Sequence, residues 1–215
     1  MVIDLEQALR VYLIADPAFA EHDLIDRSRE ALAGGVTMIQ LRAKSLSDRE
    51  AFELGMALRD ECAIHGAAFL VNDRIDIALA LKADGVHLGV DDFPLEAASA
   101  LAGPEFVIGF SPETDQQAAN AKARGASYLG VGPVYGTTSK PDAGPSIGLE
   151  KIALRTKLGG IPAIGIGGVT DMNAGSVIQA GAWGVAVISA ILCAGDPRAA
   201  ATNLRKAVDA ALADG

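Results

Sequence analysis

The side chains able to do chemistry sit in short polar runs, each placed just after an apolar stretch. Gln40-Leu41-Arg42-Ala43-Lys44 sets an amide and two cations at every second position. In an extended segment that alternation turns all three to one side. Asn72, Asp73 and Arg74 follow a second apolar run; His87 ends a third, with Asp91 and Asp92 close behind, and Ser111 follows a fourth. The stretch from Gly130 to Lys140, GVGPVYGTTSK, opens on glycines and passes through Thr137, Thr138 and Ser139 to Lys140. Glycine allows close backbone approach, and hydroxyls, free backbone N–H groups and a mobile ammonium suit a phosphate. Gly165-Ile166-Gly167-Gly168 and Ile188-Ser189 end two further apolar runs.

Sorted by chemistry, these groups form two sets. Arg42, Lys44 and Lys140 are cations fit for a multiply charged phosphate. Asp73 and Asp92 are hard oxygen donors, and beside a diphosphate they would repel it unless a divalent cation lay between. Mg²⁺, which takes few carboxylates together with substrate phosphates, is therefore the expected ion. Gly167-Gly168 and Ile188-Ser189 suit the second set, an anion site of backbone N–H groups at a helix start. Two phosphorylated substrates, or one phosphorylated twice, would fit. Each group alone has a plainer explanation: a solvated Arg42–Lys44 pair, helix caps at Asn72-Asp73 and Asp91-Asp92, a core histidine at His87. The functional interpretation rests on the repetition of polar groups at seven successive strand ends.

Those strands come from the alternation of apolar runs with helix-period segments along the whole chain. Strands are expected at Val11–Ile14, Val36–Leu41, Ala67–Val71, Val86–Leu88, Phe106–Phe110, Ala126–Val131, Ile161–Ile166 and Trp183–Ile188. Helices are expected at His22–Ala33, Ser47–Ile64, Ile75–Leu81, Leu95–Leu101, Gln116–Ala123 and Pro197–Leu212. Several strands are apolar on both faces, as in Phe-Val-Ile-Gly-Phe, which fits a parallel sheet covered by helices. Glycines at Gly34-Gly35, Gly66, Gly85, Gly125, Gly159-Gly160 and Gly181 fit helix C-caps or αβ turns. Eight βα units in 215 residues predict a (β/α)₈ TIM barrel, a single α/β domain over residues 1–215. A doubly wound open sheet is disfavoured because no Gly-x-Gly-x-x-Gly follows the first strand.

Composition narrows the function classes. The chain is 50% hydrophobic, and 27 acidic against 18 basic residues give a net charge of −9, which speaks against nonspecific nucleic-acid binding. Any phosphate site must then be a local island of positive charge. Cys62 and Cys193 lack metal-ligand spacing and are expected to be buried free thiols in a reducing compartment. MVIDLEQALR has acids where an export signal needs a basic region, and no apolar run is long enough to cross a bilayer, so a cytoplasmic location without membrane contact is expected. A symmetric homodimer is the default expectation for assembly.

In this order, Gln40 to Lys44, Val71 to Arg74, Asp84-Gly85-Val86-His87-Leu88-Gly89, Gly130 to Pro133 with Thr137 to Lys140, and Val185 to Ile191 make the chain resemble thiamine phosphate synthases over nearly its whole length. The resemblance implies a barrel enzyme joining hydroxymethylpyrimidine diphosphate to hydroxyethylthiazole phosphate, with pyrophosphate released by dissociation before the thiazole nitrogen attacks. It implies that Gln40, Arg42, Lys44, Asn72, Ser111 and Lys140 hold the pyrimidine diphosphate. Asp73 and Asp92 would bind Mg²⁺. Thr137, Ser139, Gly168, Ile188 and Ser189 would hold the thiazole phosphate. Departures from the family pattern occur at Pro112-Glu113, where Thr-His is usual, at Val90 for a glutamine, and at Trp183 for an aspartate. A thiazole tautomerase relative would be expected to keep a histidine at position 113 and to lack the metal and diphosphate groups. A Schiff-base aldolase using Lys140 and a non-catalytic binder of thiamine precursors are the remaining alternatives.

Overall fold

The computed structural model describes residues 3–20, 22–139 and 144–214. Eight parallel strands close into a barrel in the order β1 to β8, with β8 paired back onto β1. They are β1 (Val11–Ala15), β2 (Met38–Leu41), β3 (Ala68–Asn72), β4 (Gly85–Leu88), β5 (Val107–Phe110), β6 (Tyr128–Val131), β7 (Ala163–Ile166) and β8 (Gly184–Val187). The helices are α1 (Leu5–Ala8), α2 (Leu24–Ala33), α3 (Asp48–His65), α4 (Ile75–Ala80), α5 (Leu95–Ala102), α6 (Asp115–Ala121), α7 (Gly148–Gly159), α8 (Ala174–Gln179), α9 (Ser189–Leu192) and α10 (Pro197–Ala213).

The two faces of each strand feed two separate cores. On β1, Val11, Leu13 and Ala15 join the outer core shared with the helices, whereas Tyr12 and Ile14 point into the barrel with Met38, Leu70, Tyr128 and Ile164. This double burial is why the strands read as continuous apolar runs. Helix ends follow local chemistry. Ser47 and Glu50 cap α3 reciprocally, with Ser47 N–H donating to Glu50 Oε2 at 2.9 Å, and Gly66 ends it in a left-handed conformation at φ 68°.

The sequence expectations for the eight strands hold to within two residues at each end. Helices α7 and α8, between β6 and β8, were not expected. The inward positions of α7 are Ile152, Arg155 and Gly159, so a buried arginine and a glycine interrupt the apolar stripe that would reveal it. Helix α8 has six residues, too few to show a period. Gly85 is not a turn glycine; it opens β4, where a Cβ would lie 2.1 Å from the Val107 carbonyl oxygen. Cys62 is buried as expected, but Cys193 is exposed, beyond the C-terminal end of α9. Among the described residues no helix is long and apolar enough to cross a membrane.

The barrel closes where β8 begins. A Cβ on Gly184 would lie 1.8 Å from the Leu9 carbonyl oxygen, a clash with backbone that no rotamer relieves. Gly184→Ala is expected to lower stability by about 3 kcal/mol or more, whereas Gly66→Ala, strained but with open space around it, should cost about 1 kcal/mol. Urea denaturation checks both, as a much larger fall in midpoint for the first at similar slope.

Candidate functional site

The C-terminal ends of the strands surround a cavity of about 720 Å³. Gln40, Arg42, Lys44, Asn72, Asp73 and Asp92 line it. Ser111, Thr137, Ser139, Gly168, Ile188 and Ser189 line it as well. Lys140 lies outside the described residues. Twelve of the thirteen candidates are thus brought together from strands and loops spread over the chain.

In the first set, Arg42 and Lys44 already have carboxylate partners. Arg42 Nη1 forms a tight ion pair with Asp16 Oδ2, and the Asp16 side chain is only 5% exposed. Lys44 Nζ lies 3.2 Å from Asp73 Oδ2, with the lysine side chain half exposed. Asp73 is the central residue of a three-residue turn: its φ is +62°, and the Arg74 N–H donates to the Asn72 carbonyl at 2.7 Å. An aspartate in the left-handed region costs on the order of 1 kcal/mol, so the surrounding structure holds the carboxylate at the cavity mouth against that cost. Burial, and then the neighbouring Asp92, push the Asp73 carboxyl above the usual carboxylate range, while Lys44 pulls it down. Asp92 Oδ2 also accepts from the Gly89 N–H at 2.6 Å, closing the loop after β4 instead of capping α5. Two adjacent carboxylates partly removed from water are a donor set for a hard cation. Among the described residues no third acidic, histidine or cysteine ligand joins them.

Across the floor, Gln40 is buried and its Nε2 donates to Tyr12 Oη at 2.6 Å. Tyr12 Oη lies 3.0 Å from Tyr128 Oη, and Tyr128 Oη lies 2.8 Å from His87 Nδ1. His87 Nε2 is 2.8 Å from Ser111 Oγ, so this histidine is bonded through both ring nitrogens and also faces the cavity. Burial raises the hydroxyl pKa of both tyrosines, and each keeps its proton.

The second set is a hydroxyl cluster over backbone. Ser139 Oγ lies 3.1 Å from Ser189 Oγ, and Thr137 Oγ1 accepts from the Ser139 N–H at 3.2 Å. This ties the loop after β6 to the start of α9. Gly167 and Gly168 adopt positive φ, and a Cβ on Gly168 would lie 2.5 Å from the Gly136 carbonyl oxygen. Only glycine there lets the loops after β6 and β7 pack together and leave backbone facing the cavity.

Sequence reasoning passed over four residues that shape this site. Asp16 follows β1 and is the polar group at the eighth strand end, within reach of the rule that found the other seven. Tyr12 and Tyr128 lie within apolar strand runs, and nothing in the sequence signals that their hydroxyls meet. Arg155, on α7, is 5% exposed and reaches the loop after β5. It donates to the Pro112 and Glu113 carbonyls at 2.8 and 2.6 Å and to Asp115 Oδ1 at 3.2 Å. Of the departures from the family pattern, Val90 and Glu113 line the cavity, while Trp183 immediately precedes β8, at the opposite end of the strand from the site.

With this geometry established, three comparisons agree. The pattern of the family described as thiamine monophosphate synthase matches residues 11–191. The thiamine-phosphate synthase of Moorella thermoacetica is 52% identical over 180 residues, covering 84% of this chain and 86% of that protein. That of Roseiflexus sp. (strain RS-1) is 48% identical over 203 residues, 94% of this chain and 86% of the relative. Among solved structures, thiamine phosphate pyrophosphorylase from Pyrococcus furiosus superposes with a TM-score of 0.89 at 41% identity, over 97% of this chain and all of that one. The chain belongs to the thiamine monophosphate synthase family.

Proposed function

We propose that the protein joins hydroxymethylpyrimidine diphosphate to hydroxyethylthiazole phosphate, giving thiamine phosphate and pyrophosphate. The observation that carries this proposal is that Arg42, Lys44, Asp73 and Asp92 line the same cavity as Thr137, Ser139, Gly168 and Ser189, in a chain of this family; we assign the cations and carboxylates to one side and the hydroxyls and backbone to the other. The two sides suit a diphosphate and a monophosphate respectively.

On the first side, Arg42 and Lys44 take the diphosphate oxygens, exchanging Asp16 and Asp73 for the ligand; Lys140 is assigned with them on sequence alone. Gln40, Asn72 and Ser111 orient the pyrimidine. Asp73 and Asp92 would hold Mg²⁺, which when bound supplies positive charge to the leaving diphosphate. The C–O bond at the pyrimidine methylene breaks with its electron pair leaving on pyrophosphate. The thiazole nitrogen lone pair then forms the C–N bond, and the ring becomes the thiazolium. No enzyme nucleophile is required; stabilising charge on the leaving group and holding the two rings in register are the chain's contributions. On the second side, Thr137, Ser139, Ser189 and the backbone at Gly168 and Ile188 hold the thiazole phosphate. A possible homodimer and a cytoplasmic location accompany this proposal as expectations from the sequence.

Incubating the protein with both substrates and Mg²⁺ is expected to yield thiamine phosphate and pyrophosphate in equal amounts. Binding of both substrates without product would favour a non-catalytic binder. Borohydride trapping of a carbonyl ligand on Lys140 would point to an aldolase instead. Asp73→Ala should lower turnover by at least about 100-fold and weaken pyrophosphate binding, with thiazole phosphate affinity nearly unchanged; an equal fall in both affinities contradicts the division. Ser189→Ala should raise the KM for thiazole phosphate roughly tenfold, the loss of one hydrogen bond to a charged group, while the KM for the pyrimidine diphosphate moves little.

A further inference from the structure

Gln40, Tyr12, Tyr128, His87 and Ser111 form one continuous line of hydrogen bonds across the cavity floor, from β2 to the loop after β5. The barrel register makes room for it. His87 on β4 is level with Gly109 on β5, and Gly109 with Tyr128 on β6. The histidine and tyrosine therefore meet over an intervening strand only because position 109 has no side chain. A Cβ there would lie 2.3 Å from His87 Nδ1 and from the Tyr128 hydroxyl. Gly130 does the same at the next step, where a Cβ would lie 2.9 Å from His87 Cε1 and 3.1 Å from Ser111 Oγ.

Donor counting gives the line a direction. An amide nitrogen only donates, so Tyr12 Oη accepts from Gln40 and directs its one proton to Tyr128 Oη. Tyr128 in turn donates to His87 Nδ1, which places the ring proton on Nε2, where it is donated to Ser111 Oγ. Both ends are then defined at the cavity: Gln40 presents its carbonyl oxygen, an acceptor, and Ser111 directs its own hydroxyl proton outward. Turning the Gln40 amide over would reverse every bond, leaving a donor at Gln40 and an acceptor at Ser111. The two ends cannot change polarity independently.

We propose that Tyr12, Tyr128 and His87 are positioning residues that lock the hydrogen-bond polarity of Gln40 to that of Ser111, so that the site selects a ring carrying a donor toward Gln40 together with an acceptor toward Ser111. The choice of ligand rests on the proposed function: an aminopyrimidine diphosphate carries an exocyclic amine, ring nitrogens and phosphate oxygens, and so can satisfy both ends at once. An analogue with oxygen in place of that amine presents the opposite polarity.

Nitrogen-15 NMR of the full-length labelled chain tests the direction without any reaction. The His87 ring, identified by its loss in His87→Asn, is expected as the Nε2-protonated tautomer. Tyr128→Phe, which removes one oxygen from the middle of the line, should give a mixture of tautomers. In the same variant, preference for the aminopyrimidine diphosphate over its oxo analogue should fall roughly tenfold, about one hydrogen bond, with the KM for thiazole phosphate unchanged. Tyr12→Phe should relax the preference equally, and provides the measurement if Tyr128→Phe does not fold. A proton on Nδ1 in the unsubstituted protein, or a loss of activity that leaves the amino-to-oxo preference intact, would overturn the proposal. If no thiamine phosphate forms while the tautomer is as expected, the proposed reaction fails and the line stands.

Discussion

Pairing of β8 with β1 is the constraint on which the site depends. An open sheet would spread its strand ends along an edge and leave a crevice at one switch point. Closure instead turns eight strand ends toward one axis, so that Arg42 on the second βα connection and Ser189 after the eighth strand line the same cavity. The closing contact leaves no room for adjustment: the backbone of Leu9 and Gly184 approach within the space a side chain would need. Inside the barrel, Tyr12, Met38, Tyr128 and Ile164 fill the lumen, so the cavity has a packed floor. That floor is also where the polar line from Gln40 to Ser111 runs.

Charge is organised around the same axis. In a chain of net charge −9, two candidate cations of the site are held beside carboxylates: Arg42 by Asp16 and Lys44 by Asp73. Such pairs keep the two cations in place, and in the proposed function a diphosphate would offer each a stronger partner. Asp73 has the most constrained position, with a left-handed backbone, a lysine on one side and Asp92 on the other. In the proposed function a diphosphate would free it from Lys44 to hold a divalent cation with Asp92, so cation and diphosphate should favour each other's binding. In the proposed function the hydroxyl cluster of Thr137, Ser139 and Ser189 would have no such dependence, because neutral donors can hold a monophosphate without a metal.

Much of this was legible in the sequence because it is local. Two-sided apolar runs reveal buried parallel strands, and the spacing of Gln40, Arg42 and Lys44 places them on one side of an extended segment. The seven polar strand ends follow from the barrel alone. What escaped depends on contacts between strands. Tyr12 and Tyr128 look like ordinary strand residues until the register brings their hydroxyls within 3.0 Å. Gly109 looks like a weak strand residue until His87 and Tyr128 are seen to meet across it. Arg155 hid α7 by interrupting its apolar stripe, and its role in holding the loop after β5 is visible only in three dimensions. Asp16, directly after the first strand, is legible by the same rule that marks the other seven strand ends.

The central claim is that one cavity holds two anion sites, of which only one depends on metal. Calorimetric titration of the unsubstituted protein with pyrophosphate and with hydroxyethylthiazole phosphate, each with and without Mg²⁺, tests it directly. The account predicts that both ligands bind at once, that removing Mg²⁺ weakens pyrophosphate binding at least about tenfold, and that thiazole phosphate affinity stays the same. Competition between the two ligands, or equal dependence on Mg²⁺, would contradict it.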